Sequence, residues 1–159
     1  IMEANTVNKF LTMYGVSAEI DTAENDAAAE NWAVLGEGIE NLAEALNEVV
    51  YSGFYLHNGG YGNSEVTGMQ PVVTMSGKRI VGDAAQDYLF NPDRKYGLGE
   101  KRKSKLKLTT ASAEGDVVIT CPVTIANIQE LSGNTQDGSA ISFELRFNGK
   151  PEITTGSKE

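Results

Sequence analysis

From Ile141 to Asn148 the chain alternates strictly. Ile141, Phe143, Leu145 and Phe147 are apolar, and Ser142, Glu144, Arg146 and Asn148 are polar. A period of two places these sets on opposite faces, so the segment predicts a half-buried β-strand, ended by Gly149-Lys150-Pro151. Lys103, Lys105 and Lys107 alternate in the same way with Ser104, Leu106 and Leu108, predicting a second strand with a cationic outer face. Between them, residues 117–128 are rich in β-branched side chains and are bounded by the turn clusters Glu114-Gly115-Asp116 and Ser132-Gly133-Asn134. Pro122 inside that run predicts an edge or a bulge, because proline has no N–H for a ladder. Residues 66–75 form another β-like stretch, interrupted at Pro71 and closed by Ser76-Gly77.

One short helix fits between these strands, over about residues 83–90. Asp83 can cap the first turn, with Gln86 three residues on in capping-box spacing. Ala84, Ala85, Tyr88 and Leu89 supply the body. Asn91-Pro92 ends it, since the residue before proline avoids the helical region. In the first half, residues 9–16 predict a strand, residues 21–30 an acidic, alanine-rich loop, and residues 32–35 a return to β. Ile39, Leu42, Ala43, Leu46, Val49 and Val50 then fall at helical spacing, so local pattern alone favours an amphipathic helix over residues 39–50.

Charge adds a polarity to this plan. Residues 1–48 hold ten carboxylates against Lys9 alone, which accounts for the whole net charge of −9. Arg94, Lys95, Lys101, Arg102, Lys103, Lys105 and Lys107 then form a basic island around a single carboxylate, Glu100. One acidic and one basic segment in the same chain invite head-to-tail contact between copies, although charge alone fits a pair of solvated surfaces better. A length of 159 residues and 17.0 kDa suits one ordinary domain. No stretch approaches the roughly 20 apolar residues of a membrane span, and residues 1–5 lack the pattern of a signal peptide, so no membrane insertion is expected.

Catalytic chemistry has little to work with. The only cysteine, Cys121, lies in a β-branched run where a small buried hydrophobe is the expected role, and it excludes an internal disulfide. The only histidine, His57, stands beside a glycine-rich turn and reads as a surface residue. Gly59-Gly60-Tyr61-Gly62 has no following Lys-Ser or Lys-Thr pair and no helix after it, so it reads as a hairpin turn rather than a phosphate loop. Gly36-Glu37-Gly38 lacks the third glycine of a dinucleotide fingerprint. Asp83 and Asp87 share a helix face, where capping and solvation explain them better than a catalytic pair. The basic island has only Tyr96 among its cations, which argues against a nucleic-acid groove. No catalytic residue, metal site or cofactor is expected.

Three segments taken in order carry a resemblance. The first is the glycine-rich turn and strand Gly59-Gly60-Tyr61-Gly62-Asn63-Ser64-Glu65-Val66-Thr67-Gly68. The second is Gly82-Asp83-Ala84-Ala85-Gln86-Asp87, the helix start, with the basic strand after it. The third is the ending Phe147-Asn148-Gly149-Lys150-Pro151. This order, over about 100 residues from Gly59 onward, resembles the major tail (tail tube) proteins of long-tailed bacteriophages, especially those of Gram-positive hosts. The specificity lies in the order and spacing of the segments.

The resemblance implies a mainly β chain, an antiparallel β-sandwich or barrel with one short flanking α-helix. It implies a single domain over residues 1–159. Within it lie an acidic N-terminal third with an extended loop or hairpin over 17–58, a β core with the helix over 59–151, and a short C-terminal tail over 152–159. Residues 39–50 would then be hairpin strands rather than a helix. It further implies hexameric rings that stack into a tube around a tape-measure protein and later DNA, with terminator and tip proteins at the ends. The chain would reside in the virion tail after assembly in the host cytoplasm. Glu37, Glu40, Glu44 and Glu48, with Glu65 as a weaker member, become candidates for a channel lining that repels phosphate. Arg94, Lys95, Lys101, Arg102 and Lys103 become candidates for contacts between subunits or rings. Two alternatives stay open: the inner tube of a phage-tail-like bacteriocin or injection particle, and a monomeric β-sandwich decoration or adhesion module.

Overall fold

The strand expected from the strict alternation lies deep in the fold, with Phe143 and Leu145 almost fully buried and their polar neighbours outward. A computed structural model describes residues 8–23 and 29–155. Its strands are β1 Ser17–Asp21, β2 Trp32–Val34, β3 Ile39–Ala45, β4 Glu48–Phe54, β5 Gly62–Met69, β6 Val72–Lys78, β7 Lys103–Ser112, β8 Gly115–Gln129, β9 Ala140–Phe147 and β10 Glu152–Thr155. Two helices, α1 Ala84–Leu89 and the single turn α2 Pro92–Lys95, stand between β6 and β7. The protein is therefore mainly β, as expected.

All pairings are antiparallel, and the main sheet runs β2-β1-β7-β8-β9-β6-β3. Ile20 at one end of that order shares a single core with Val73 and Met75 near the other, so the sheet folds over on itself like a sandwich. The long strand β8 makes this possible by changing partners. Its first half pairs with β7 on one edge and β10 on the other, and β9 takes over from Val123 onward. Pro122 falls at that handover, between Val123 opposite Phe147 and Thr120 opposite Glu152. It is thus neither on a sheet edge nor at a bulge, contrary to the expectation. The irregular register of β8 lies later, between Ala126 and Gln129, with Asn127 at a φ of 51°.

Three further expectations are corrected. Residues 9–16 are not a strand: a 3₁₀ turn occupies Met13–Gly15, and the first strand begins at Ser17, where Thr109 of β7 offers a partner. Residues 152–155 are a strand, not part of a tail, because β8 has a free edge there. The β core is not confined to residues 59–151, since β1, within the segment 17–58, contributes Ala18 and Ile20 to it. The acidic stretch 21–30 lies partly outside the described residues. Its rim is closed by Asp21, whose carboxylate accepts from the Ala23 and Asn31 backbone N–H groups at 3.0 and 2.9 Å.

The helix forms where the cap signal lies. Asp83 Oδ2 accepts from Gln86 N at 3.1 Å. Gln86 does not return the bond as a capping box would; its side chain is buried and fully used elsewhere. Its Oε1 accepts from Ile80 N at 2.8 Å, and its Nε2 donates to the carbonyls of Glu37 and Lys78 at 2.8 and 3.1 Å. Gln86 thereby ties α1 to the end of β6 and the start of β3, satisfying backbone groups that burial would otherwise leave costly. Gly77, paired with Ile39, must lack a side chain, since a Cβ there would collide with the Gly38 carbonyl oxygen.

Candidate assembly surface

Residues 39–78 form one long hairpin, not a helix. Its lower half, β3 with β6, belongs to the main sheet, and β6 pairs onward with β9. Its upper half, β4 with β5, is a separate two-stranded sheet. The break falls at Leu46–Asn47 opposite Gln70–Pro71. Asn47 takes a φ of 50°, uncommon outside glycine, and its Nδ2 donates to the Gln70 carbonyl at 3.1 Å. Gly59 and Gly60, both at positive φ, close the far end, where His57 is exposed and its ring stacks against Tyr55.

The ribbon β4–β5 is exposed on both faces. Register and alternation place Val50, Phe54, Val66 and Met69 on one face with Glu48, and Val49 and Tyr51 on the other with Asn63 and Glu65. Phe54 is 76% exposed, and Tyr61 and Leu56 at the tip are 80% and 101% exposed. A two-stranded ribbon alone is marginal in water, and this one leaves open edges and apolar faces uncovered within the subunit.

The five acidic candidates all map to this hairpin or the loop leading into it, and residues 37–77 contain no lysine or arginine. Glu37 precedes β3, Glu40 sits at the register shift between Ile39 and Asn41, and Glu44 pairs opposite Val73. Glu48 pairs opposite Met69 and Glu65 opposite Tyr51. All five are exposed.

The basic candidates gather beside the later half of β8, and several engage their own chain. Arg102 donates to the carbonyls of Arg94, Lys95 and Ile125 at 2.8, 2.6 and 3.1 Å. Arg94 lies 3.6 Å over the Tyr88 ring and donates to the Tyr88 carbonyl. Lys95 pairs with Glu130 at 2.9 Å, and Lys103 donates to Thr124 Oγ1 at 3.0 Å. Lys101 is exposed. Farther along β7, Lys105 pairs with Glu30 at 3.0 Å, and Lys107 stands near Glu19 and over the Trp32 ring. The acidic and basic segments therefore meet partly within one subunit.

Glu130 was not legible as a site from sequence, being a lone carboxylate after a strand. It bridges Lys95 and Arg79, the latter at 2.8 Å, and Arg79 reaches on to Asp87 at 3.0 Å. Burial pushes the Glu130 carboxyl up, but hydrogen bonds from Arg79 and Lys95 outweigh this and hold it below the usual carboxylate range. Cys121 is buried, and burial raises its thiol above its ordinary value, as suits a packing residue. Among the described residues no group of side chains is arranged to hold a metal ion, and no helix is long and apolar enough to cross a membrane.

No family model matches the chain, and no curated protein does. Solved structures do. A chain in the tail of an empty GTA particle, computed with helical refinement and C6 symmetry, is similar at a TM-score of 0.65 and 10% identity, covering 91% of this chain and 98% of that one. A chain of the native gene transfer agent virion gives 0.62 and 11%, with the same coverage. The SPP1 tail tube, from solid-state NMR and cryo EM, gives 0.65 and 10%, covering 93% of this chain and 81% of that one. Nearly the whole chain thus has the fold found in these tails.

Proposed function

We propose that this chain, folded as tail tube subunits are, is a structural virion protein that assembles into stacked hexameric rings, the tube of a bacteriophage tail through which DNA is ejected. The observation that carries this reading is the β4–β5 ribbon. A tail-tube fold that holds out a two-faced, unpartnered ribbon needs neighbouring copies to cover it, and ribbons from a ring of copies close into a barrel with no open edge. The work is physical and not enzymatic. The remaining partners are a tape-measure protein inside the tube and terminator or tip proteins at its ends. The chain acts in the virion tail after assembly in the host cytoplasm.

The lumen would take the acidic hairpin. Attraction for phosphate, summed over many rings, would stall DNA, whereas carboxylates keep it centred. Of the two ribbon faces, the one with Asn63, Tyr51 and Glu65 is the more polar and suits water. The face with Val50, Phe54, Val66 and Met69 suits burial against other protein. This makes Glu65 a stronger lining position than Glu48, with Glu37, Glu40 and Glu44 nearer the mouth of each ring.

Negative-stain imaging and sedimentation of concentrated protein test the reading. Six-fold rings or tubes are expected, and a persistent monomer would overturn it. The inner tube of a tail-like bacteriocin or injection particle would look the same by imaging, and recovery of DNA from native particles separates them.

A further inference from the structure

The strand β8 has a distinct surface at each end. Where it finishes, Glu130 leads into Leu131, which is 74% exposed, and the loop after α2 holds out Tyr96 and Leu98 at 79% and 88% exposure. That loop is rigidly set. Arg102 clamps it through the carbonyls of Arg94 and Lys95, and the Lys95–Glu130 pair fixes it beside Leu131. The backbone that carries these apolar side chains is therefore held before any partner arrives, which lowers the ordering cost of an interface there. The surrounding loop is cationic, with five basic residues against two acidic ones over residues 93–103.

Where β8 begins, the surface is the reverse in charge and again apolar. The turn from β7 carries Glu114 and Asp116, both exposed, with no cation over residues 111–118. The segment before β1 leaves the sheet at this same end, since Ser17 lies opposite Thr109 near the finish of β7. It presents Phe10 at 90% and Tyr14 at 93% exposure, with Lys9 ahead of them.

We infer that these two ends are complementary, and that the finishing end of β8 in one copy docks on the beginning end in a second copy, making the contact between successive rings. This rests on the tube reading. Both ends carry exposed aromatic and aliphatic side chains, their turns have opposite charge, and they lie at opposite ends of one strand. A contact between two different patches on one chain is heterologous, so it either closes a ring or repeats as an open stack. Patches at opposite ends of one strand set successive copies end to end, which suits the stack. The hairpin remains free for contacts within the ring.

Two variants test this. Tyr96→Ser with Leu98→Asp disables one end, and Phe10→Asp with Tyr14→Asp disables the other. All four positions are exposed, so thermal unfolding of the subunit is expected to stay as in the unaltered protein. Neither variant alone should form long tubes, and an equal mixture should yield particles of two stacked rings, each variant offering its intact end to the other. Long tubes from either variant would overturn the inference, as would a mixture without two-ring particles. An unaltered protein that forms tubes while the variants do so equally sinks this inference alone. An unaltered protein that never forms rings sinks the tube reading with it.

Discussion

Glu48 and Glu65 stand on opposite faces of the β4–β5 ribbon, because Glu65 pairs with Tyr51, an odd number of residues from Glu48 along the strand. A lumen wall therefore cannot take both in the same way. With the more polar face inward, Glu65→Lys should leave tubes intact and slow DNA ejection, measured by release of genome from particles carrying the variant. Glu48→Lys should instead reduce tube yield in sedimentation with ejection from completed tubes unchanged. The opposite pattern would mean that the ribbon faces are reversed.

Phe143 anchors the core. It is buried on β9 and meets Phe90, just after α1, edge-on at 6.2 Å between ring centres. Phe143→Ala removes that contact and leaves a cavity, costing about 3–5 kcal/mol. Thermal unfolding of the subunit should fall by about 6–20 °C, given the usual scaling for a domain near this size. An unchanged transition would mean that the site collapses without loss.

Gln86 is the polar counterpart. Gln86→Leu keeps the volume but strands the Ile80 N–H and the carbonyls of Glu37 and Lys78 without their partner. The expected cost is about 2–4 kcal/mol, since buried groups that lose hydrogen bonds keep their desolvation penalty. Hydrogen exchange should quicken first at Ile80. Equal protection in both proteins would show that these groups find other partners.

Glu130 predicts a pH signature. Its folded carboxyl is held below the ordinary value of 4.5 by Arg79 and Lys95 despite burial. A depressed acid contributes stability fully present above its unfolded value and lost as pH falls through the folded one. The difference in melting temperature between the protein and Glu130→Gln should stay constant from neutral pH down to about 5 and shrink below about 4.5. A difference unchanged down to pH 3 would show that the pair with Arg79 and Lys95 does not stabilise the fold.

The parts of the fold that bury one face were readable. Residues 141–148 and 103–108 alternate because one side meets the core, and the helix at Asp83 carries its own cap and stop. The hairpin was harder because the ribbon's apolar residues occupy both faces. Val49 and Val50 are adjacent, and both are exposed in the subunit, so no period of two survives and helical spacing competes. Phe10, Leu11, Met13 and Tyr14 read as a strand for the same reason. Their apolar character has no burial inside the subunit to explain it. Pro122 and residues 152–155 depended on which strand lies alongside, which local pattern does not carry. Of the candidate residues, the carboxylates stood out through the absence of cations around them, while the contacts of Glu130 and its loop depended on distant pairing.

The chain passes between the ribbon and the main sheet at Leu46–Asn47 and Gln70–Pro71, and this narrow junction has a kinetic consequence. A lone subunit gains little by ordering β4 and β5, so the first copies to meet bear most of that entropy before a closed ring rewards it. Growth on an existing ring meets a template already in place. On the tube reading, polymerisation should accordingly show a lag, a critical concentration and abolition of the lag by preformed seeds, so that tubes start slowly from free subunits and at once from a ring already made.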